Sequence, residues 1–497
     1  MRSDSEMRLD LRVLTKAVLL FLGIFVVYFL LRSPGLDDYD SVLFALGVRQ
    51  FNLWIDQPHP PGYPIFIFLG WIGDSVFNLG PEFTLHLVAA FGGALFVAVW
   101  FLIVRLQFNE RFAWLVGVSL ALTPAVWMTA TKVLTDSLAA GLLSAEILAA
   151  LIFLRGGGRR SLALAATLGA AAVGTRPQLV LVALAVLLTA LRTRAAVGRV
   201  WALGLCVFVA ASLVWLIPTC YLQARWHPEI SVWSAYPELL YQQWQYRLDK
   251  PQVSLLAGGW SLRYFAIRFG SHIFGWFGLG FGLLENWSIF LLGTVLVGAG
   301  LFMYLRRGRA ASDANFWRFH APWALLHIVI IFVCLPAAQR YYLMIFPLLL
   351  VAVLSGLRGL PQPWNKAVLA LPALFIAVLI PTAPANHGEQ SPPVRLIDYL
   401  KNLYPFEQRG RVLLILNTAQ RHAEWYAPEF RRIHPAPKQP IVAEVTRGAL
   451  AVYTDDAKLP LPAGWRRIPV AVFARSYIIY MKYHEVHLFR IERGQPW

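Results

Sequence analysis

The chain has 497 residues, of which 58% are hydrophobic and 14% charged, and its formal net charge is +17. An ordinary soluble domain is about 45–50% apolar and about 25% charged, so the composition excludes that class and predicts an α-helical polytopic membrane protein. The positive charge does not indicate a nucleic-acid partner, because most basic residues lie in short loops between apolar blocks, where they orient the chain. The three cysteines lie in apolar segments and predict neither a disulfide framework nor a metal site.

The apolar blocks predict about 11 membrane-spanning helices. The first block is not followed by a small-residue cleavage site, so we expect a retained anchor. Basic residues at positions 2, 8, 12 and 16 place the N-terminus in the cytoplasm, and an odd number of spans then places the C-terminus outside. In chain order, the predicted spans lie at residues 13–31, 83–104, 112–130, 137–154, 160–175, 178–191, 200–220, 286–305, 320–337, 342–357 and 367–382.

Two long segments between spans are expected outside the cytoplasm: residues 33–82, here called the first loop, and residues 221–284. The apolar run PGYPIFIFLGWIGDSVF in the first loop is interrupted and contains Trp, so it should dip into the membrane interface without crossing it. Residues 160–191 are predicted to form two short spans that break at Arg176–Pro177. A single kinked helix would place the basic loops that follow outside the cytoplasm, against the usual bias.

The composition changes after the transmembrane module, which we assign to residues 1–382. Residues 383–390 belong to a Pro-rich polar stretch and are predicted to be a linker. In residues 391–497, PPVRLIDYLKNLY has helical periodicity, and RVLLILN, LAVYTDD, IPVAVFAR and EVHLFRIER are typical of strands. We therefore predict a small α/β domain on the external side, without a recognisable catalytic motif.

The first loop begins with LDDYDSVLFALGVRQF, which places Asp37, Asp38 and Asp40 within four residues. Their mutual repulsion is tolerated in water, near a cation, or where one pKa is raised. The run that follows is amphipathic enough to lie flat on the membrane as a helix, with Asp40 at its N-terminal end. A solvated loop whose aspartates cap helices explains the pattern equally well. Three carboxylates can also hold Mg²⁺ or Mn²⁺, so metal dependence stays open.

The string QPHPPGYP, at residues 57–64, forms the second notable part of the first loop. Its four prolines forbid a helix and fix an extended path, and Gly62 permits close approach of the backbone. His59 is thereby held stiffly as a hydrogen-bond donor or proton relay. The alternative is a rigid turn with an exposed histidine.

Charged residues also occur at the predicted external ends of three helices. Asp136 lies there with Lys132 one turn earlier, and either caps the next helix or faces the same cavity as the first loop. Arg340 precedes Tyr341 in PAAQRYYLMIFP, and Arg176 lies in GTRPQ. Each arginine either extends to the interface or binds a phosphate through two parallel hydrogen bonds.

With these elements in this order, the chain resembles the GT-C superfamily of membrane glycosyltransferases over roughly residues 10–360, and most closely the protein O-mannosyltransferase and aminoarabinose-transferase types and their bacterial relatives. The resemblance rests on Asp40-Ser41, on the string HPPGYP at residues 59–64, and on Arg340-Tyr341 with a proline shortly after. The transferase types named carry an Asp-Glu pair where this chain has DDYD, so either Asp40 or Asp38 is the candidate base.

The resemblance implies an inverting transferase in the bacterial cytoplasmic membrane, acting on its external side. The donor would be a polyprenyl-phosphate sugar among the membrane lipids, and the acceptor hydroxyl would belong to a glycan, a lipid or a protein. The implied roles are catalytic for Asp40, Asp38 and His59, donor-phosphate binding for Arg340, Tyr341 and Arg176, and substrate binding for Asp37, Asp136, Lys132 and Tyr63.

Two other classes of function compete with a transferase. A transporter or lipid flippase usually places its charges near the membrane midplane on broken helices, often with repeat symmetry. Here the charges gather at one predicted surface, and no internal repeat is visible in the sequence. A membrane-bound scaffold or receptor that uses the C-terminal domain is the third interpretation.

Overall fold

The computed structural model describes residues 10–194, 198–248, 262–277, 287–307, 311–335, 338–433, 448–475 and 485–493. The larger part is helical and precedes a smaller α/β part. The helices of the larger part are α1 Leu11–Leu30, α2 Tyr39–Arg49, α3 Pro64–Ser75, α4 Pro81–Gln107, α5 Glu110–Leu122, α6 Pro124–Ala130, α7 Thr135–Leu154, α8 Gly158–Thr175, α9 Val180–Thr193, α10 Gly198–Trp226, α11 Val232–Leu248, α12 Leu262–Phe277, α13 Trp287–Arg306, α14 Ala311–Cys334, α15 Phe346–Arg358 and α16 Ala370–Gly388.

The helical part agrees with a multi-pass membrane protein. In the described residues, six helical runs are long and apolar enough to cross a membrane, and α5 with α6, bent by 61°, makes a seventh if the pair is one span. The apolar helices α9 and α15 have 14 and 13 residues, fewer than the roughly 20 that a perpendicular span requires. Each predicted block contains a helix, whereas the total of about 11 spans stays a prediction.

Helices α4 and α7 form the closely packed centre of the helical part. A Cβ atom on Gly92 would lie 2.3 Å from the Cα atom of Leu138, and one on Gly141 would lie 2.7 Å from the carbonyl oxygen of Gly92. Small residues let two helix backbones approach in this way, which is typical of membrane helices. In contrast, α1 exposes most of its apolar side chains, as expected at a lipid-facing periphery.

Helix α2 begins where the sequence predicts but does not lie flat on a surface. Asp38 is its N-cap and its side chain accepts a hydrogen bond from the amide of Asp40. Residues 41–48 are all buried, because α3, α4 and an α-helix of the C-terminal domain pack around α2. The predicted amphipathic surface helix is therefore wrong. In agreement with prediction, α3 has 12 residues and is too short to cross a membrane.

The structure agrees with one of the other predicted connections and differs from another. Helix α8 ends at Thr175, and α9 starts after a single turn at Pro177–Leu179, so the break lies at Arg176–Pro177. Helix α16 continues through residues 383–388 of the predicted linker. Within the predicted segment 221–284, the structure describes the end of α10, then α11 and α12, whereas residues 249–261 and 278–286 lie outside the described ranges.

The C-terminal domain is a small α/β unit, as predicted. Helix α17 buries Leu396, Ile397 and Leu400 against the sheet, which agrees with the helical periodicity of this segment. Strand β1 runs parallel to β2 and β3, and β5 runs antiparallel to β3 and β4, giving the order β2-β1-β3-β5-β4. The elements are α17 Pro392–Leu403, α18 Phe406–Arg409, β1 Val412–Ile415, α19 Gln420–Tyr426, β2 Arg431–Arg432, β3 Ala451–Thr454, β4 Trp465–Ala474 and β5 Glu485–Arg493.

Candidate active site

The structure brings Asp40 and Arg340 into direct contact although 300 positions separate them in the chain. Asp40 lies in the first turn of α2, and Arg340 lies in a short turn before α15. Nη2 of Arg340 donates to Oδ2 of Asp40 at 2.9 Å. Their side chains are 15% and 23% exposed, so the pair is partly accessible rather than sealed in the core.

A second ion pair lies beside the first. Arg176, at the break between α8 and α9, contacts Asp136 in the first turn of α7, and both side chains are buried. The guanidinium groups of Arg176 and Arg340 lie 5.1 Å and 5.4 Å from the ring centroid of Tyr341. Two cations next to one aromatic ring are held there by attraction to the ring electrons. The structure thus gathers both predicted phosphate-binding arginines around Tyr341.

These side chains surround a small recess with a volume of about 20 Å³. Apolar side chains of α9, α14 and the segment before α15 form the rest of its wall. His327 of α14 was missed by sequence reasoning; its Nε2 lies 3.0 Å from the carbonyl oxygen of Tyr341. In the sequence, His327 stands out only as an isolated polar residue in an apolar helix. The recess is lined by Asp136, Arg176, Gln178, Leu179, His327, Leu335, Arg340, Tyr341, Leu343 and Met344.

Asp38 lies next to this site with a perturbed carboxyl group. Burial and then repulsion from Asp40 raise the pKa of Asp38, while Arg340 and Lys132 act in the opposite direction. Its Oδ1 accepts the amide of Asp40 at 3.0 Å. Asp38 therefore both caps α2 and holds a proton more readily than an ordinary aspartate.

Asp37 and Lys132 lie apart from the lining of the recess. Oδ2 of Asp37 is 3.6 Å from Nζ of Lys132, and Oδ1 is 2.9 Å from Nη2 of Arg475 in the C-terminal domain. All three side chains are at least 96% buried. Burial lowers the pKa of Lys132 to about 8, although Asp37 partly opposes that shift. No pattern in the sequence indicates Arg475, which is 438 positions away from Asp37.

The three aspartates do not converge on a common metal position. Asp37 faces Lys132 and Arg475, whereas Asp40 faces Arg340. Among the residues that the structure describes, no group of three or more His, Cys, Asp or Glu side chains is arranged to hold a metal ion. The geometry of this loop therefore does not fit the Mg²⁺ or Mn²⁺ site that the sequence left open.

His59 and Tyr63 form a rigid contact behind α2. Nε2 of His59 lies 2.8 Å from the hydroxyl oxygen of Tyr63, and both rings pack against Phe44 of α2. The hydroxyl group of Tyr236 in α11 donates to the carbonyl oxygen of Pro61 at 2.8 Å. The stiff His-Pro-Pro-Gly-Tyr-Pro segment thus links α2 to α11, and neither His59 nor Tyr63 lines the recess.

The formal charges of this region balance. Asp136 and Asp40 each contact an arginine of the recess, so Arg176 and Arg340 are already neutralised before an anion arrives. An anionic ligand therefore competes with a carboxylate for each of these arginines. The four acidic residues are Asp37, Asp38, Asp40 and Asp136, and the four basic residues are Lys132, Arg176, Arg340 and Arg475.

Comparisons with known proteins relate part of this chain to membrane glycosyltransferases. A family model described as dolichyl-phosphate-mannose-protein mannosyltransferase matches residues 56–219. The protein O-mannosyl-transferase tmem260 of Dictyostelium discoideum is 26% identical over 115 residues, which make up 22% of this chain. The chain therefore matches only 14% of the length of that relative.

The solved structure of ArnT extends the likeness to the fold. The crystal structure of ArnT from Cupriavidus metallidurans bound to undecaprenyl phosphate has a TM-score of 0.54 at 15% identity, covering 97% of this chain and 99% of that chain. The cryo-EM structure of the arabinofuranosyltransferase AftD from mycobacteria has a TM-score of 0.46 at 13% identity, covering 97% and 42% of the two chains. Residues 56–219 are therefore similar to a family of membrane mannosyltransferases, and the fold of the chain is similar to that of ArnT.

Proposed function

We propose that the chain is an inverting glycosyltransferase that moves a sugar from a polyprenyl-phosphate donor to an acceptor hydroxyl group. The observation that carries this proposal is the 2.9 Å contact between Asp40 and Arg340, beside a recess that Arg176 also lines. A carboxylate and two arginines are the groups that such a transfer needs, one to accept a proton and two to stabilise a phosphate.

In our proposal the donor phosphate binds at the recess, to Arg340 and Arg176. Arginine recognises phosphate through parallel charge-assisted hydrogen bonds, which favours these residues over a flexible lysine. Because each arginine already pairs with a carboxylate, phosphate binding exchanges one anion for another. The undecaprenyl phosphate bound to ArnT supports a lipid phosphate as the ligand of this fold.

The replacement of a carboxylate by phosphate at Arg340 makes Asp40 available as a base. When the phosphate binds Arg340 in place of Asp40, the carboxylate of Asp40 loses its ion-pair partner. That carboxylate can then accept a proton from the acceptor hydroxyl group. The acceptor oxygen then bonds to the anomeric carbon, the bond from that carbon to the phosphate oxygen breaks, and the lipid phosphate leaves. Removing a general base typically costs about 10²–10⁴-fold in rate. Asp38 is the second candidate base, because it lies two positions earlier.

The remaining predicted site residues are given supporting roles. Asp136 holds Arg176 in place, and Tyr341 orients both arginines. His59 and Tyr63 are assigned to the rigid support of α2 rather than to chemistry, since they contact each other and Phe44. We further propose the cytoplasmic membrane of a bacterium as the location, with a cytoplasmic N-terminus and with the recess and C-terminal domain outside.

The proposal is tested by consumption of a radiolabelled polyprenyl-phosphate sugar by the purified protein. Asp40→Asn and Asp38→Asn are compared with Asp56→Asn, a first-loop control whose side chain is 51% exposed and whose nearest cation, on Arg421, is 3.8 Å away. Asp40→Asn should lose about 10²-fold or more in rate. Full activity in both Asp40→Asn and Asp38→Asn would refute the assignment of the base, and solute counterflow without donor consumption would favour a transporter.

A further inference from the structure

We propose that the C-terminal domain positions the catalytic loop, because Arg475 holds Asp37 while helix α19 holds the backbone of Leu36. The catalytic consequence rests on the function proposed above, whereas the structural contact stands independently of it. Asp37 is accordingly a positioning residue and not a residue that touches substrate.

Arg475 joins three distant segments of the chain. It follows strand β4, and its Nη2 donates to Oδ1 of Asp37 at 2.9 Å and to the carbonyl oxygen of Glu389 at 3.0 Å. The second oxygen of Asp37 faces Lys132. A carboxylate buried to this degree is stable only beside its cations, so its position depends on Arg475 and Lys132.

Helix α19 holds the residue before Asp37 from the other side. The amide of Leu36 donates to the hydroxyl oxygen of Tyr426 at 2.8 Å, and the same hydroxyl group donates to Oε2 of Glu82 at 2.9 Å. Nε2 of His422 lies 3.1 Å from the carbonyl oxygen of Leu36. Both backbone groups of a fully buried residue are thus bound by one helix of the C-terminal domain.

The same helix also contacts the later part of the first loop. Oε1 of Glu424 accepts from Nε2 of Gln57 at 2.7 Å, and Nη2 of Arg421 donates to the carbonyl oxygen of Ile55 at 3.0 Å. The stretch between these contacts contains α2. Helix α19 therefore clamps the loop on both sides of the helix that carries Asp40.

Leu36 and Asp37 lie only a few residues before Asp40 in the chain. Asp38 comes next and caps α2, and Asp40 stands in the first turn of that helix. The hydroxyl group of Ser41 donates to the carbonyl oxygen of Val133, which follows Lys132 directly, at 2.8 Å. A shift of Asp37 moves the start of α2, and a misplacement of about 1 Å at a reacting group can cost about 10²-fold in rate.

Arg475→Met tests the inference, with Arg409→Met as the matched control. Arg409 forms an ion pair of similar length with Glu429, at 2.7 Å, and its other hydrogen bonds stay within the C-terminal domain. Three quantities are measured: amide hydrogen exchange in residues 36–49, and kcat and KM for a polyprenyl-phosphate sugar. Arg475→Lys is the conservative variant.

In Arg475→Met, we expect the amide hydrogens of residues 36–49 to exchange faster than in the wild type. We also expect kcat to fall by up to about 10²-fold, while KM for the donor stays within about twofold of the wild-type value. Arg409→Met should match the wild type, and Arg475→Lys should recover part of kcat. Exchange and kcat in Arg475→Met equal to those in Arg409→Met would overturn the inference. If the wild type transfers no sugar, the proposed function fails. The comparison of amide exchange still tests whether Arg475 holds residues 36–49 in place.

A double variant tests whether Arg475→Met loses activity only because it misfolds. Asp37→Asn with Arg475→Met removes both charges of that pair, so neither is left unpaired in the protein interior, and only Lys132 loses the carboxylate that it faces. We expect the double variant to fold while kcat stays low, because the connection is still absent. Full recovery of kcat in the double variant would also overturn the inference.

Discussion

The buried pair between Asp136 and Arg176 leads to a prediction about both stability and donor binding. Their side chains are only 4% and 8% exposed, and removing one partner from a buried pair costs about 3–5 kcal/mol. We expect Asp136→Asn and Arg176→Met each to shorten the half-life of the detergent-solubilised protein on heating. The double variant should recover much of that loss, since no unpaired charge is left. Lys16→Met is the control, because its exposed pair with Glu110 contributes about 1 kcal/mol or less.

The two single variants should change KM for the donor in opposite directions. Asp136→Asn removes the carboxylate that competes with phosphate for Arg176, so KM for a polyprenyl-phosphate sugar should fall. Arg176→Met removes the cation itself, so KM should rise. Steady-state kinetics of the purified variants measure both. An equal rise of KM in the two variants would refute the idea that phosphate exchanges with the carboxylate at Arg176.

Three further predictions concern packing, pH and the rigid segment. Gly92→Ala should destabilise the protein by about 1–3 kcal/mol, because its Cβ atom would meet backbone at 2.3 Å, whereas Gly23→Ala, with nothing within 4 Å, should be neutral or stabilising in the same thermal assay. Burial, followed by a neighbouring carboxylate, raises the pKa of Asp38, so the folded protein binds this proton more tightly than the unfolded chain. Stability should therefore fall as pH rises through that raised pKa, and Asp38→Asn should remove this dependence from a pH series of thermal unfolding. Tyr63→Phe removes the hydroxyl group beside His59 and should cost about 1–2 kcal/mol, with a loss of kcat far smaller than that expected on removing a general base.

Local chemistry made several elements predictable from the sequence. The aspartates before an apolar run placed the start of α2, and Pro177 marked the break between α8 and α9. Alternating and continuous apolar runs located strands β1, β3, β4 and β5. In each case the signal lies within about ten residues of the element that it specifies, so no tertiary contact was needed to interpret it.

The contacts that organise the site were not predictable in the same way. The separation along the chain is 300 positions between Asp40 and Arg340, and 438 between Asp37 and Arg475. A single charged residue in a sequence does not specify its partner, because folding brings together elements whose local patterns are independent. The same reason explains the error at α2. Its moderate amphipathicity suggested a surface helix, whereas packing from the C-terminal domain encloses it.

An experimental structure of the protein with a polyprenyl phosphate bound would test the proposed site directly. We expect the phosphate to lie within about 3 Å of the Arg340 guanidinium group, as in other charge-assisted hydrogen bonds, with the carboxylate of Asp40 released from that arginine. A phosphate bound elsewhere, with the 2.9 Å contact between Asp40 and Arg340 unchanged, would contradict this expectation.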